Sequence, residues 1–93
     1  MKYTRTSSSD SGTPLIEKVG AVLAHWYITV SSRSSGRVRI EVQLEGMDTW
    51  IDLGFLALRS PDFKSIDGPV VSVRGTKEGA VAPVKLTLIG YDH

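Results

Sequence analysis

The sequence contains no cysteine. Disulfide staples and thiolate zinc sites are therefore excluded, and the redox compartment leaves no mark on the composition. Long apolar runs are missing as well: no stretch approaches the ~20 residues that a membrane-spanning helix requires, so no membrane partner is expected. The opening Met1-Lys2-Tyr3-Thr4-Arg5-Thr6 lacks the apolar centre of a signal peptide, which makes synthesis in the cytoplasm the expectation. Nor is there an excess of one charge. Eleven Lys and Arg stand against ten Asp and Glu, a net charge of +1, without the basic surplus by which a nucleic-acid binder neutralises phosphates. Histidine is scarce. His25 and His93 stand in no Ser-His-Asp or His-x-x-x-His spacing, so neither is expected to be catalytic. Gly75-Thr76-Lys77-Glu78-Gly79 lacks the G-x-x-x-x-G-K-[ST] spacing of a phosphate loop and reads as a hairpin loop. These absences describe a protein that is not an enzyme and takes no cofactor.

What is present is strand pattern. Arg37 to Glu45 alternates strictly, placing Val38, Ile40, Val42 and Leu44 on one face and Arg37, Arg39, Glu41, Gln43 and Glu45 on the other. Trp26, Ile28 and Val30 alternate with Tyr27 and Thr29, and Ser31–Gly36 supplies a polar turn, so 21–31 and 37–45 are expected to pair as a hairpin. Gly46-Met47-Asp48 makes a second tight turn, followed by a short strand at 49–53, which 54–58 either continues or follows as another. Residues 59–69 form the longest loop, and strands follow at 70–74 and 84–91. The fold expected is all-β: a small antiparallel β-sandwich, jelly-roll or immunoglobulin-like, of about six or seven strands. It occupies 14–93. Residues 1–13, rich in serine and almost devoid of apolar side chains after Tyr3, are expected to form a flexible arm that orders on a partner. Leu15, Val19, Val22 and Trp26 also recur at helical spacing, so 14–25 is read as strand with a helix as the alternative.

Chemistry-bearing residues each have a plainer reading. Asp48, Asp52, Asp62 and Asp67 lie in or near loops, where Ca²⁺ could gather oxygen ligands. They lack dense D-x-D-x-D spacing, and turns use Asp for backbone reasons, so no metal is expected. Trp26 shares parity with Ile28 and Val30 and belongs in the core. Trp50 opposes the parity of Ile51 and Leu53; core placement is favoured over stacking on a ligand. Arg33, Arg37, Arg39 and Arg74 form a candidate basic patch, but Arg37 and Arg39 share their face with Glu41 and Glu45, which reads as a charge-mixed solvated sheet and suits a specific protein interface equally well.

The stretch Arg37–Tyr91 then reads as a recurring layout. A strand ending in Glu45-Gly46-Met47-Asp48-Thr49-Trp50-Ile51-Asp52-Leu53 precedes a polar loop, then Gly68-Pro69-Val70-Val71-Ser72-Val73-Arg74, a hairpin, and Val84-Lys85-Leu86-Thr87-Leu88-Ile89-Gly90-Tyr91. This layout resembles the small β-sandwich domains of tailed-bacteriophage virion proteins, which decorate capsids, form head fibres or sit on tail machinery. It departs from them in having Glu45-Gly46 where the usual turn is Asp-Gly, which removes one possible calcium ligand. The resemblance implies a virion protein made in the host cytoplasm, most simply a capsid decoration or head-associated subunit. Its partners would be the major capsid protein or other virion proteins, and it would form a homo-oligomer, with a trimer as first expectation. Tyr3, Arg5, Arg37, Arg39, Trp50, Phe55 and Phe63 are the expected interaction residues. The alternative is a carbohydrate- or receptor-binding module of a tail or fibre, using Trp50 and the loop aspartates.

Overall fold

The computed structural model describes residues 2–9, 14–20, 23–33, 36–58, 62–78 and 83–91. They form eight strands: β1 (Lys2–Ser9), β2 (Leu15–Ile16), β3 (His25–Ser31), β4 (Arg37–Leu44), β5 (Ile51–Ala57), β6 (Lys64–Asp67), β7 (Val70–Glu78) and β8 (Val84–Tyr91). Two four-stranded antiparallel sheets result, sheet A in the order β1-β8-β3-β6 and sheet B in the order β2-β7-β4-β5. This is the eight-stranded jelly-roll order, the first of the two sandwich types expected. The partners Lys2↔Tyr91, His25↔Asp67 and Val42↔Ile51 lie nearly symmetrically about Gly46 and Met47. The chain is thus one long hairpin, doubled back at that turn and rolled up.

The turn forms where the sequence indicates. Gly46 adopts φ 82°, a region costly for any residue with a Cβ, and the Met47 N–H donates to the Leu44 carbonyl (3.1 Å). On β4, Val38, Ile40 and Val42 are fully buried and Arg37 and Arg39 are exposed, as period 2 requires. The core joins them to Ile16, Trp26, Ile28, Leu56, Val73 and the inward row Val84, Leu86 and Leu88 of β8. Trp26 fits because of what lies beside it. Tyr3, Gly90 and Trp26 sit in register across β1, β8 and β3, and a Cβ on Gly90 would lie 2.5 Å from the Trp26 ring. Without that Cβ the indole reaches over β8 to meet Tyr3 edge-to-face, with ring centroids 5.7 Å apart.

Between Ile40 and Glu41 the β4–β5 register shifts, leaving Leu53 as an extra residue on β5. Gly54 takes φ 93° and its N–H donates to Asp52 Oδ1 (2.7 Å). This bulge inverts the in–out phase of β5. Trp50 and Phe55, of opposite parity in sequence, consequently both belong to the outer face of sheet B.

Several expectations are corrected. Residues 2–9 are not an arm outside the sandwich but the edge strand β1, paired with β8 along its whole length. A solvent-facing edge strand needs backbone partners and one modest inner row, so few apolar residues suffice; residues 10–13 lie outside the described set. β3 and β4 do not pair as a hairpin, because each lies in a different sheet. Residues 75–78 continue β7 rather than turning, and Gly75 packs so closely that a Cβ would lie 2.7 Å from Val38 Cγ1. The segment 59–69 contains strand β6, with 59–61 outside the described residues. Over 14–25 the described residues contain no helix, and Leu15–Ile16 pair with β7; residues 21 and 22 are outside that set.

Candidate interfaces on the two outer faces

The outer face of sheet B gathers four of the expected interaction residues. Register places Arg37 beside Ala57 and Glu78, and Arg39 beside Phe55 and Thr76. Both guanidiniums lie over the Phe55 ring, at 4.0 and 4.9 Å from its centroid. Both also meet Glu78, Arg37 at 3.4 Å and Arg39 at 3.8 Å, and Arg39 approaches Asp52 at 3.9 Å. Next along the sheet, Arg74 donates through Nε and Nη2 to the two carboxylate oxygens of Glu41 (3.0 and 3.3 Å). Its guanidinium lies 4.3 Å from the Trp50 ring centre. Trp50 is half-buried, neither the core residue favoured from sequence nor a freely exposed platform.

Between Trp50 and the edge strand β2 runs an open groove of about 290 Å³, lined by Leu15, Trp50, Arg74 and Thr76. Its parts come from two strands and a connection. Leu15 is outward because Ile16 is inward on β2; Arg74 and Thr76 share one parity on β7; Trp50 arrives from the β4–β5 connection.

The outer face of sheet A differs in chemistry. Tyr27 stands edge-to-face with Phe63 on one side and Tyr91 on the other, at 5.4 and 5.6 Å between ring centroids. Phe63 is 54% exposed and Tyr27 37%. Around this strip the register places Thr4, Thr29 and Thr87, with Ile89 directly beside Tyr27. At one end His25 Nδ1 donates to Asp67 Oδ1 (2.8 Å). Phe63 is the one expected interaction residue here, and Tyr27 and Tyr91 extend it. They could have been found from sequence only by knowing that β8 and β3 are neighbours.

Tyr3 and Arg5 belong to the fold rather than to either face. Tyr3 packs on Trp26, as above. Arg5, on the inward parity of β1, donates through Nη1 to the carbonyls of Glu17 (2.6 Å) and Lys18 (3.3 Å). Lys18 takes φ 55° there, so the guanidinium holds a strained turn between β2 and β3 against β1. The loop aspartates do not converge. Asp52 caps the bulge, Asp62 accepts from the Phe63 N–H (2.8 Å), and Asp67 meets His25. Among the described residues no group of three or more His, Asp or Glu is placed to hold a metal ion.

No family model matches the chain, and neither does any curated protein. Among solved structures it is similar to the Yersinia pseudotuberculosis-derived mitogen, with a TM-score of 0.56 and 13% identity over all of this chain and 86% of that one. At that identity the likeness concerns the β fold alone.

Proposed function

We propose that the chain is a non-catalytic structural subunit of a tailed-phage virion, a capsid decoration or head-associated protein that binds the shell as an oligomer. The observation that carries this reading is the uncovered ring strip Tyr91–Tyr27–Phe63 on the outer face of sheet A. Folding leaves Phe63 and Tyr27 exposed beside a half-buried Tyr91, with apolar area still to bury, and aromatic side chains are the usual anchors of protein interfaces. The strip lies on a flat sheet face between threonines, with the His25–Asp67 pair at its margin, which suits contact with another folded surface. The jelly-roll topology, shared by many viral capsid domains, supports the reading by analogy of fold. Size supports it too: a domain this short buries a modest fraction of its surface, and assembly supplies the remainder.

Quantitative mass spectrometry of particles from the phage that encodes the chain tests the assignment. A shell protein should be present at on the order of hundreds of copies, as icosahedral symmetry repeats each site. A handful of copies would move it to the neck or tail, and absence from the particle would overturn it. Light scattering of the purified chain should give a trimer, and Phe63→Glu should prevent its attachment to empty shells.

A further inference from the structure

The groove on sheet B is built differently from the rest of its face, and the difference specifies a ligand. Elsewhere on that face the charges are matched by neighbours and the Phe55 ring is covered by two guanidiniums. In the groove, Arg74 uses Nε and Nη2 on Glu41, which cancels its charge but leaves Nη1 unengaged. Among the described residues nothing bonds Nη1 or the Thr76 hydroxyl. Trp50 and Leu15, the latter 39% exposed, form the apolar walls.

We infer that this groove is a binding site for a neutral sugar ring. A pyranose carries an apolar C–H face and equatorial hydroxyls. The first suits the Trp50 and Leu15 walls, and the second suits the Arg74 Nη1 and Thr76 groups. Two competitors fit less well. An apolar side chain of a protein would strip water from Nη1 and from the Thr76 hydroxyl without replacing its hydrogen bonds, a penalty that a sugar avoids. An anionic group would meet a guanidinium already neutralised by both oxygens of Glu41, with that carboxylate close by. The volume of about 290 Å³ lies at the low end for ligand pockets and suits one ring rather than a buried chain. Glu41 and the indole fix the Arg74 side chain before any ligand arrives, so little rotamer entropy is lost on binding. The groove needs no particle around it, and its test is independent of the virion assignment.

The test is a titration of the ¹⁵N-labelled full chain with glucose, galactose and N-acetylglucosamine and their neutral β-linked oligomers. The two indole N–H signals report separately, Trp50 in the groove and Trp26 in the core as an internal reference. Saturable shifts are expected at the Trp50 indole and the Leu15, Arg74 and Thr76 amides with at least one of these sugars, while the Trp26 indole stays fixed. Thr76→Val should weaken that binding about three- to tenfold, the loss of one hydrogen bond. Trp50→Ala should abolish it while the Trp26 signal keeps its position, which shows the fold intact. The inference is overturned if none of these neutral sugars shifts the Trp50 indole. It is equally overturned if only glucuronate or sialic acid does so, or if a capped Ala-Leu-Ala peptide fills the groove while the sugars do not.

Discussion

Outside the groove beside Trp50, the outer face of sheet B satisfies itself, whereas that of sheet A leaves its rings partly to the solvent. On sheet B, Glu78 serves Arg37 and Arg39, those two cover Phe55, and Arg74 is held between Glu41 and Trp50. On sheet A, Tyr27 touches Phe63 and Tyr91 by their edges, and among the described residues no cation covers any of the three. Both sheets send fully buried apolar side chains into the core, Trp26, Ile28, Leu86 and Leu88 from one and Val38, Ile40, Val42 and Val73 from the other, so the difference lies on the outer faces. It separates residues whose interactions are completed within the chain from residues whose apolar area is left for something else. Removing the first kind should cost stability, and removing the second should cost binding.

The deepest break in this symmetry lies beneath the faces. Gly90→Ala should destabilise by about 2–3 kcal/mol, because its Cβ would press on the immobile Trp26 ring and on Leu23. Gly75→Ala, which meets chiefly the Val38 side chain, should cost about 1–2 kcal/mol; urea midpoints of the two variants give the order directly. Arg74→Ala comes next, at about 1–2 kcal/mol, since it uncovers Trp50 and leaves the half-buried Glu41 carboxylate without its partner. Smaller again, Phe55→Ala should cost about 1 kcal/mol, while Phe63→Ala, whose ring is already 54% exposed, stays within about 0.5 kcal/mol of the parent. Equal losses for the two would erase the distinction between the faces. Least of all, raising salt should lower stability by under about 1 kcal/mol, and Glu78→Gln should remove part of that dependence, because Arg37 and Arg39 both meet this carboxylate at the surface.

Much of this was legible in the residues, and the limit is physical. Alternation from Arg37 to Leu44 states which side chains face inward, and Trp26 follows Ile28 and Val30 into the core for the same reason. Alternation is silent about which strand lies beside which. Ser31–Gly36 would serve a hairpin within one sheet or a crossing between two, and the chain crosses. The parity of Trp50 was unreadable because the bulge at Leu53 and Gly54 resets the phase of β5; Asp52 preceding Gly54 by two was its only local mark. In β1, alternating Thr4, Thr6 and Ser8 give an outer row suited to a strand, but serine content points equally to an unstructured tail. Of the candidate site, Trp50 and Arg74 were visible singly. Thr76 follows Arg74 by strand parity on β7, whereas Leu15, distant in sequence, joins them only through the pairing of β2 with β7.

The place of β8 carries a consequence for how the molecule comes into being. During synthesis every strand of sheet B has left the ribosome once Glu78 has emerged, and β4, β5 and β7 can associate at once. Sheet A cannot follow, for its first strand and its third are joined only through its last, Val84–Tyr91. Until those residues arrive, only the β3–β6 pair can oppose the inner row of sheet B, and the apolar side chains that Val84, Leu86 and Leu88 will cover stay in water. Assembly is therefore ordered in time, with half of the sandwich waiting on the final strand, and the interval before closure is when the nascent chain is most prone to associate with its own copies.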